Sequence, residues 1–302
     1  ACEGKKGYDG ASDITINGGT WDFQGSKGQV NAGVTLEAFR FMHGKNVSFT
    51  NMTMQNLKKS HYLTIEGLDN VTIQNCTFKD FQSITARKEA IHIDCMHNDS
   101  MAPSNQENTV YDDTICNNVT VDGCTFVDVP RGIGTHIAVG GLYPSNMKFT
   151  NNTFKNITYE AIKAYHYKNV IITGNTIDKA GCGIKSYLYA EPSDNDNDEE
   201  GNSNYLSALK NTATEGVPYN ANILISQNTV RNITDSKEGF GIHIAGNASR
   251  PIQGVTVTNN TVSATKMAGI YAKYANRITI SDNTVANSGG CNILLTSAGQ
   301  SV

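Results

Sequence analysis

Glu66 and Asp94 are the carboxylates whose spacing points most directly to chemistry. Each is the sixth residue of a recurring eight-residue segment, His61-YLTIEGL and Glu89-AIHIDCM. If consecutive copies pair as neighbouring strands, their Cβ atoms lie about 4.8 Å apart on one face. Like charges set opposite each other destabilise a sheet, so stability alone gives no reason for the pair. Carboxyl groups ~5–5.5 Å apart suit a retaining glycoside hydrolase. Mutual repulsion would raise one pKa and leave an acid beside a base. Asp94 and Glu66 are therefore the expected acid and nucleophile or base, with His136 next in their column. The competing reading has His92 and His136 neutralise both carboxylates in a structural network.

The fourth and sixth residues of the other copies extend this surface. The fourth-position column runs Arg40, Thr64, His92, Gly134, Lys163, Lys185, His243, Tyr271, and the sixth-position column Met42, Glu66, Asp94, His136, Tyr165, Tyr187, Ala245, Lys273. An idle solvated strip would be mostly Thr, Ser, Asn and Lys. Rings stack on sugar faces, and charged forks fix hydroxyls and carboxylates. Arg40, His92, Lys163, Tyr165, Lys185, Tyr187, His243 and Tyr271, with Arg131 opening one of the same strands, are the expected sugar-binding residues. A Lys, His or Tyr base beside a cation that neutralises a uronate is equally the chemistry of a polysaccharide lyase. A non-catalytic glycan-binding or adhesive module is the remaining alternative.

The positioning elements come from a repeat. Asn46-VSFTNMTM, Asn70-VTIQNCTF, Asn118-VTVDGCTF, Asn146-MKFTNNTF, Asn169-VIITGNTI, Asn222-ILISQNTV, Gly254-VTVTNNTV and Arg277-ITISDNTV recur, the closest at intervals of 24 and 23 residues. That interval is too short for a βαβ unit of roughly 30 residues. It suits three short strands joined by tight turns, and the chain's many Asn and 28 Gly supply the left-handed backbone such turns need. Apolar residues alternate within each strand, as at Ile91 and Ile93 or Leu63 and Ile65. No single coil can bury its stripe; stacked coils make one continuous core. Asn152, Asn175, Asn228, Asn260 and Asn283 share one corner and are expected to form a coil-to-coil amide ladder. Cys76 and Cys124 fall in that corner as stacked buried thiols.

This pattern resembles the right-handed parallel β-helix superfamily, which includes pectate lyases, polygalacturonases, chondroitinase-type lyases, β-helix glycosidases and phage tailspikes. The resemblance covers nearly the whole chain. It implies an all-β, single-domain solenoid over residues 1–302, of about nine coils. It also implies carbohydrate as the partner and an extracellular or cell-surface location. Longer connections after the third strands, chiefly residues 96–116 and 191–221 with shorter ones after His136 and His243, are expected to wall the third-strand face. Asp112 and Asp113 in the first of these are read as turn residues.

Other functions are excluded or weakened. A net charge of -4 with 17% charged residues gives no field for nucleic acid or an anionic membrane, and no apolar run approaches the ~20 residues of a spanning helix. Seven cysteines without a CxxC pair read as neither a zinc site nor a disulfide framework. Asp194, Asp196 and Asp198 alternate like the first ligands of a calcium loop, but the sixth and twelfth positions, Glu199 and Tyr205, depart from that pattern. Calcium is thus the only cofactor suggested, and weakly. Neither end carries an evident cap, so a further domain or second chain is expected there.

Overall fold

The computed structural model describes residues 3–25, 38–58, 60–85, 87–97, 109–135, 142–187, 219–246 and 251–296. The first strands, among them Lys45–Thr50, Asp69–Gln74 and Asn117–Asp122, stack in chain order into a nine-stranded parallel sheet. Nine strands in that sheet correspond to nine coils. The second and third strands join a sixteen-stranded assembly, because in two middle coils they run on as single long strands, Thr153–Tyr165 and Thr176–Tyr187. Every pairing is parallel, as a right-handed parallel β-helix requires.

The local reasons are visible in the backbone. Asn46, Asn70, Asn118, Asn146, Asn169 and Asn222 all have φ between 50° and 60°, a region Asn enters more readily than other non-glycine residues. Their amides link coils along the surface, Asn70 Nδ2 donating to Asn46 Oδ1 at 2.8 Å and Asn222 to Asn169 at 3.0 Å. At the next corner the buried ladder forms as expected. Asn152, Asn175, Asn228 and Asn260 each donate from Nδ2 to Oδ1 of the next at 2.9–3.0 Å, ending at Asn283. Cys124 donates its backbone N–H to Asn152 Oδ1, and Cys76, one coil earlier, donates its own to Cys124 Sγ at the head of the column. Both thiols are buried and unoxidised.

Inside, one apolar cluster runs the length of the solenoid. Phe78, Phe126 and Phe154 stack in successive coils at centroid distances of 5.1 and 4.6 Å. Leu63 pairs with Ile91, and Ile184 with Ile242, so the inward stripe of each third strand meets its neighbour's. Burying each such side chain contributes roughly 1.5–3 kcal/mol. The alternate residues must then face outward, and this carries the fourth- and sixth-position residues onto one face.

Candidate functional site

The register places the two outward columns as the repeat implies. Arg40 pairs with Thr64, Thr64 with His92 and His92 with Gly134; Lys163 pairs with Lys185, Lys185 with His243 and His243 with Tyr271. Glu66 is directly opposite Asp94, and Tyr165, Tyr187, Ala245 and Lys273 follow one another. His136 lies outside the described residues, as do Asp194, Asp196 and Asp198, and most of the long connections.

The face divides into two parts. In the first, the charges are sealed rather than solvated. Glu66, Glu89 and Arg131 are fully buried, and Asp94 is 1% exposed. Arg40 Nη2 donates to Glu66 Oε1 at 3.3 Å. His92 Nε2 lies 2.9 Å from Asp94 Oδ2, while Asp94 Oδ1 accepts the Cys95 N–H at 3.1 Å. Glu66 thus meets the Arg40 guanidinium, and the His92 ring lies beside Asp94.

At the start of the same strands a second row completes the network. Arg131 Nε donates to Glu160 Oε2 at 2.6 Å, and its Nη1 lies 3.4 Å from Glu89 Oε1. A β-bulge between Ile157 and Glu160 aids this placement by shifting the register ahead of Glu160. Gly134 makes room for Glu89, since a Cβ there would meet Glu89 Cγ at 2.9 Å and Lys163 Cβ at 3.1 Å. Burial pushes the Glu160 carboxyl up, but Arg131, Lys185 and Lys163 outweigh it and hold it at about 2. Burial, aided by Arg131, draws Lys163 down to about 8 against the pull of Glu89 and Glu160.

His61, Glu89 and His92 bring metal-ligand atoms within 4.8 Å of one another. Their arrangement does not suit an ion. The two imidazoles stack at 4.2 Å and 16°, so their in-plane lone pairs run side by side instead of converging. Arg131 also competes for the Glu89 carboxylate.

The second part is more open. Tyr165 and Tyr187 stack at 4.5 Å and 20°. Lys163 Nζ lies 5.7 Å from the Tyr165 centroid, and Lys185 Nζ 5.0 Å from that of Tyr187. Phe240, His243 and Tyr271 form a further ring cluster with centroids 4.7–4.9 Å apart. Tyr187, Lys185, Ala245 and Tyr271 are half-buried and Lys273 is exposed. Glu238 reaches in from the turn before this coil's third strand, its Oε2 3.1 Å from Lys185 Nζ and 3.5 Å from His243 Nδ1. Burial raises its carboxyl, but His243 and Lys185 bring it down to about 2.

Among the described residues, Arg40 and, in the later coils, Lys185, Tyr187, Ala245, Tyr271 and Lys273 keep part of the strip accessible, while Lys163, Tyr165 and His243 are buried. His61, Glu89, Glu160 and Glu238 belong to the site and were not read from the sequence. Alternating charge at the first position of consecutive segments, Glu89, Arg131 and Glu160, was a signal for three of the partners in this row. Asp112 and Asp113 do serve turns and ties: Asp112 accepts from Gly7 and Thr114, and Asp113 pairs with His97.

A family profile described as a right-handed beta helix region matches residues 214–302. The plasmin and fibronectin-binding protein A of Streptococcus pneumoniae is 26% identical over 278 residues, which cover 83% of this chain and 36% of that protein. The chain thus spans about a third of that relative's length. The crystal structure of PfbA, a surface adhesin of S. pneumoniae, superposes with a TM-score of 0.62 at 20% identity, over 93% of this chain and 71% of that one. A tailspike protein mutant of E. coli bacteriophage HK620, in complex with a pentasaccharide, superposes with a TM-score of 0.58 at 17% identity, over 96% and 46% of the two chains. These likenesses show the fold.

They also correct the enzymatic expectation. The curated relative and the PfbA structure carry the names of a binding protein and an adhesin, not of a hydrolase or lyase. The physical reason is in the site: Glu66 and Asp94 are buried and held by Arg40 and His92, so they form part of a structural network. The assignment of Asp94, Glu66 and His136 as catalytic residues is withdrawn, and with it the lyase alternative on the Lys, His and Tyr residues of the same face.

Proposed function

We propose that this chain is a non-catalytic, cell-surface binding module that engages a glycan on the later coils of its third-strand face. The observation that carries this is the Tyr165–Tyr187 stack, with Lys163 and Lys185 over the rings and Tyr187 half-buried at its edge. A ring face beside ammonium groups suits a pyranose, whose C–H face packs on the ring while its hydroxyls accept from the cations. The sealed ion network of the earlier coils serves as a rigid base for that shelf. The likeness to a surface adhesin and to a tailspike bound to a pentasaccharide supports a binding role and a surface location.

The test is a glycan array probed with the purified chain, with mass detection of anything released. The reading expects retention of a defined subset of glycans, no released product, and loss of retention in Tyr187→Ala. Retention unchanged in Tyr187→Ala, or glycan cleavage, would overturn it.

A further inference from the structure

The column Tyr165, Tyr187, Ala245, Lys273 steps from two stacked rings to a methyl and then to an ammonium group. Successive coils are about 4.8 Å apart, close to the 4.5 Å between the two tyrosine rings. A flat six-membered ring laid over Ala245 would therefore continue the stack at the same step. Tyr187 and Ala245 are half-buried and Lys273 exposed, so this step opens to solvent at the edge of the sealed network.

Beside that step, the fourth-position column supplies an ammonium group, Lys185, an imidazole, His243, whose pKa burial lowers, and no acid. Lys185 and His243 are adjacent, and their side chains are 12% and 8% exposed. The carboxylate that meets both, Glu238, is 48% exposed and comes from outside the column. Its turn is longer than those of the two flanking coils. Eight residues separate Ile233 from Ile242, where four separate the paired positions Thr265 and Ile270 in the next coil. Asp235 Oδ1 fixes the detour by accepting the backbone N–H groups of Lys237 and Glu238 at 2.7 and 2.8 Å. The chain has thus brought a solvent-side carboxylate onto two nearly buried nitrogen groups next to a ring-sized step.

We infer that the Ala245 step seats a carboxylate-bearing pyranose, a uronate or similar acidic sugar, whose carboxylate is taken by Lys185 and His243 at the place Glu238 holds in this structure. The inference rests on the glycan-binding reading and adds its ligand class. Glu238 is then a built-in competitor, which occupies the Lys185 ammonium beside the His243 ring until an acidic sugar displaces it.

The experiment is titration calorimetry with matched oligosaccharides that differ only in a terminal uronate against the neutral hexose. The acidic member should bind about tenfold more tightly, as one charge-assisted contact implies. Glu238→Gln should raise acidic-sugar affinity by about tenfold more, with its melting curve confirming the fold. Ala245→Tyr should abolish binding by extending the ring stack into the step. Equal affinity for the two sugars, or no gain in Glu238→Gln, overturns this inference and leaves glycan binding standing. Failure of both sugars, and of every member of the array, overturns the two together.

Discussion

Arg131 and Glu160 approach to 2.6 Å, Nε to Oε2, between side chains that are 0% and 6% exposed. Arg131 also serves Glu89, so one guanidinium answers two buried carboxylates on neighbouring coils. Arg131→Ala leaves both without it, and breaking a buried pair in this way costs about 3–5 kcal/mol. Urea denaturation of the variant should show a loss in that range. A change within experimental error would show that the network does not hold the coils.

Acid should weaken the same network. The Glu160 carboxyl sits at about 2, below its unfolded value, so its stabilising effect is fully present above about pH 4.5 and is lost as pH falls toward 2. The wild type should be more stable than Glu160→Gln at neutral pH, and their urea midpoints should converge between about pH 5 and 2. A constant gap across that window would contradict the assignment. Lys163 has the opposite sense. Its value is drawn down to about 8, so its charge opposes folding at neutral pH, and that opposition fades as pH rises from about 8 toward 10.5.

The asparagine ladder should show graded costs. Asn228 Oδ1 accepts the backbone and side-chain N–H of Asn175, and its Nδ2 donates to Ile172 and Asn260. Asn228→Ala leaves those buried groups unmet, at about 1–3 kcal/mol for each such group. Asn283, half-buried at the end of the column, should cost less on the same substitution. Thermal melts that rank Asn283→Ala as the more damaging would contradict this.

Glu66→Gln and Asp94→Asn should change stability and not turnover, because the pair is buried and individually partnered. Mass analysis of glycans incubated with the wild type should find no cleavage for either substitution to remove. Cleavage that disappears in Asp94→Asn would restore the catalytic reading.

The fold was legible because its determinants are local and repeated. Each Asn-Val strand start, each ladder Asn and each alternating third strand appears in nearly every coil, so coil stacking follows from one register. The site was half legible for the same reason. Register alone put Glu66 opposite Asp94 and Tyr165 beside Tyr187. It said nothing of depth, so groups expected on a solvated strip proved to be sealed. Glu89 escaped because its outward seat depends on the missing side chain of Gly134, three residues along the next coil's strand from its own partner Arg131. Glu160 follows a bulge, which breaks the parity by which outward residues are counted. Glu238 belongs to a lengthened turn between the repeated strands, outside the positions the repeat aligns.

The central claim is that a glycan binds at the Tyr187 end of the third-strand face. The most direct test is a crystal structure of the chain with an oligosaccharide retained on the array. The account expects a sugar ring packed on Tyr187 over Ala245, within reach of Lys185. A sugar bound instead on the Thr-rich outer face of the first strands, at Thr72 and Thr120, would contradict it.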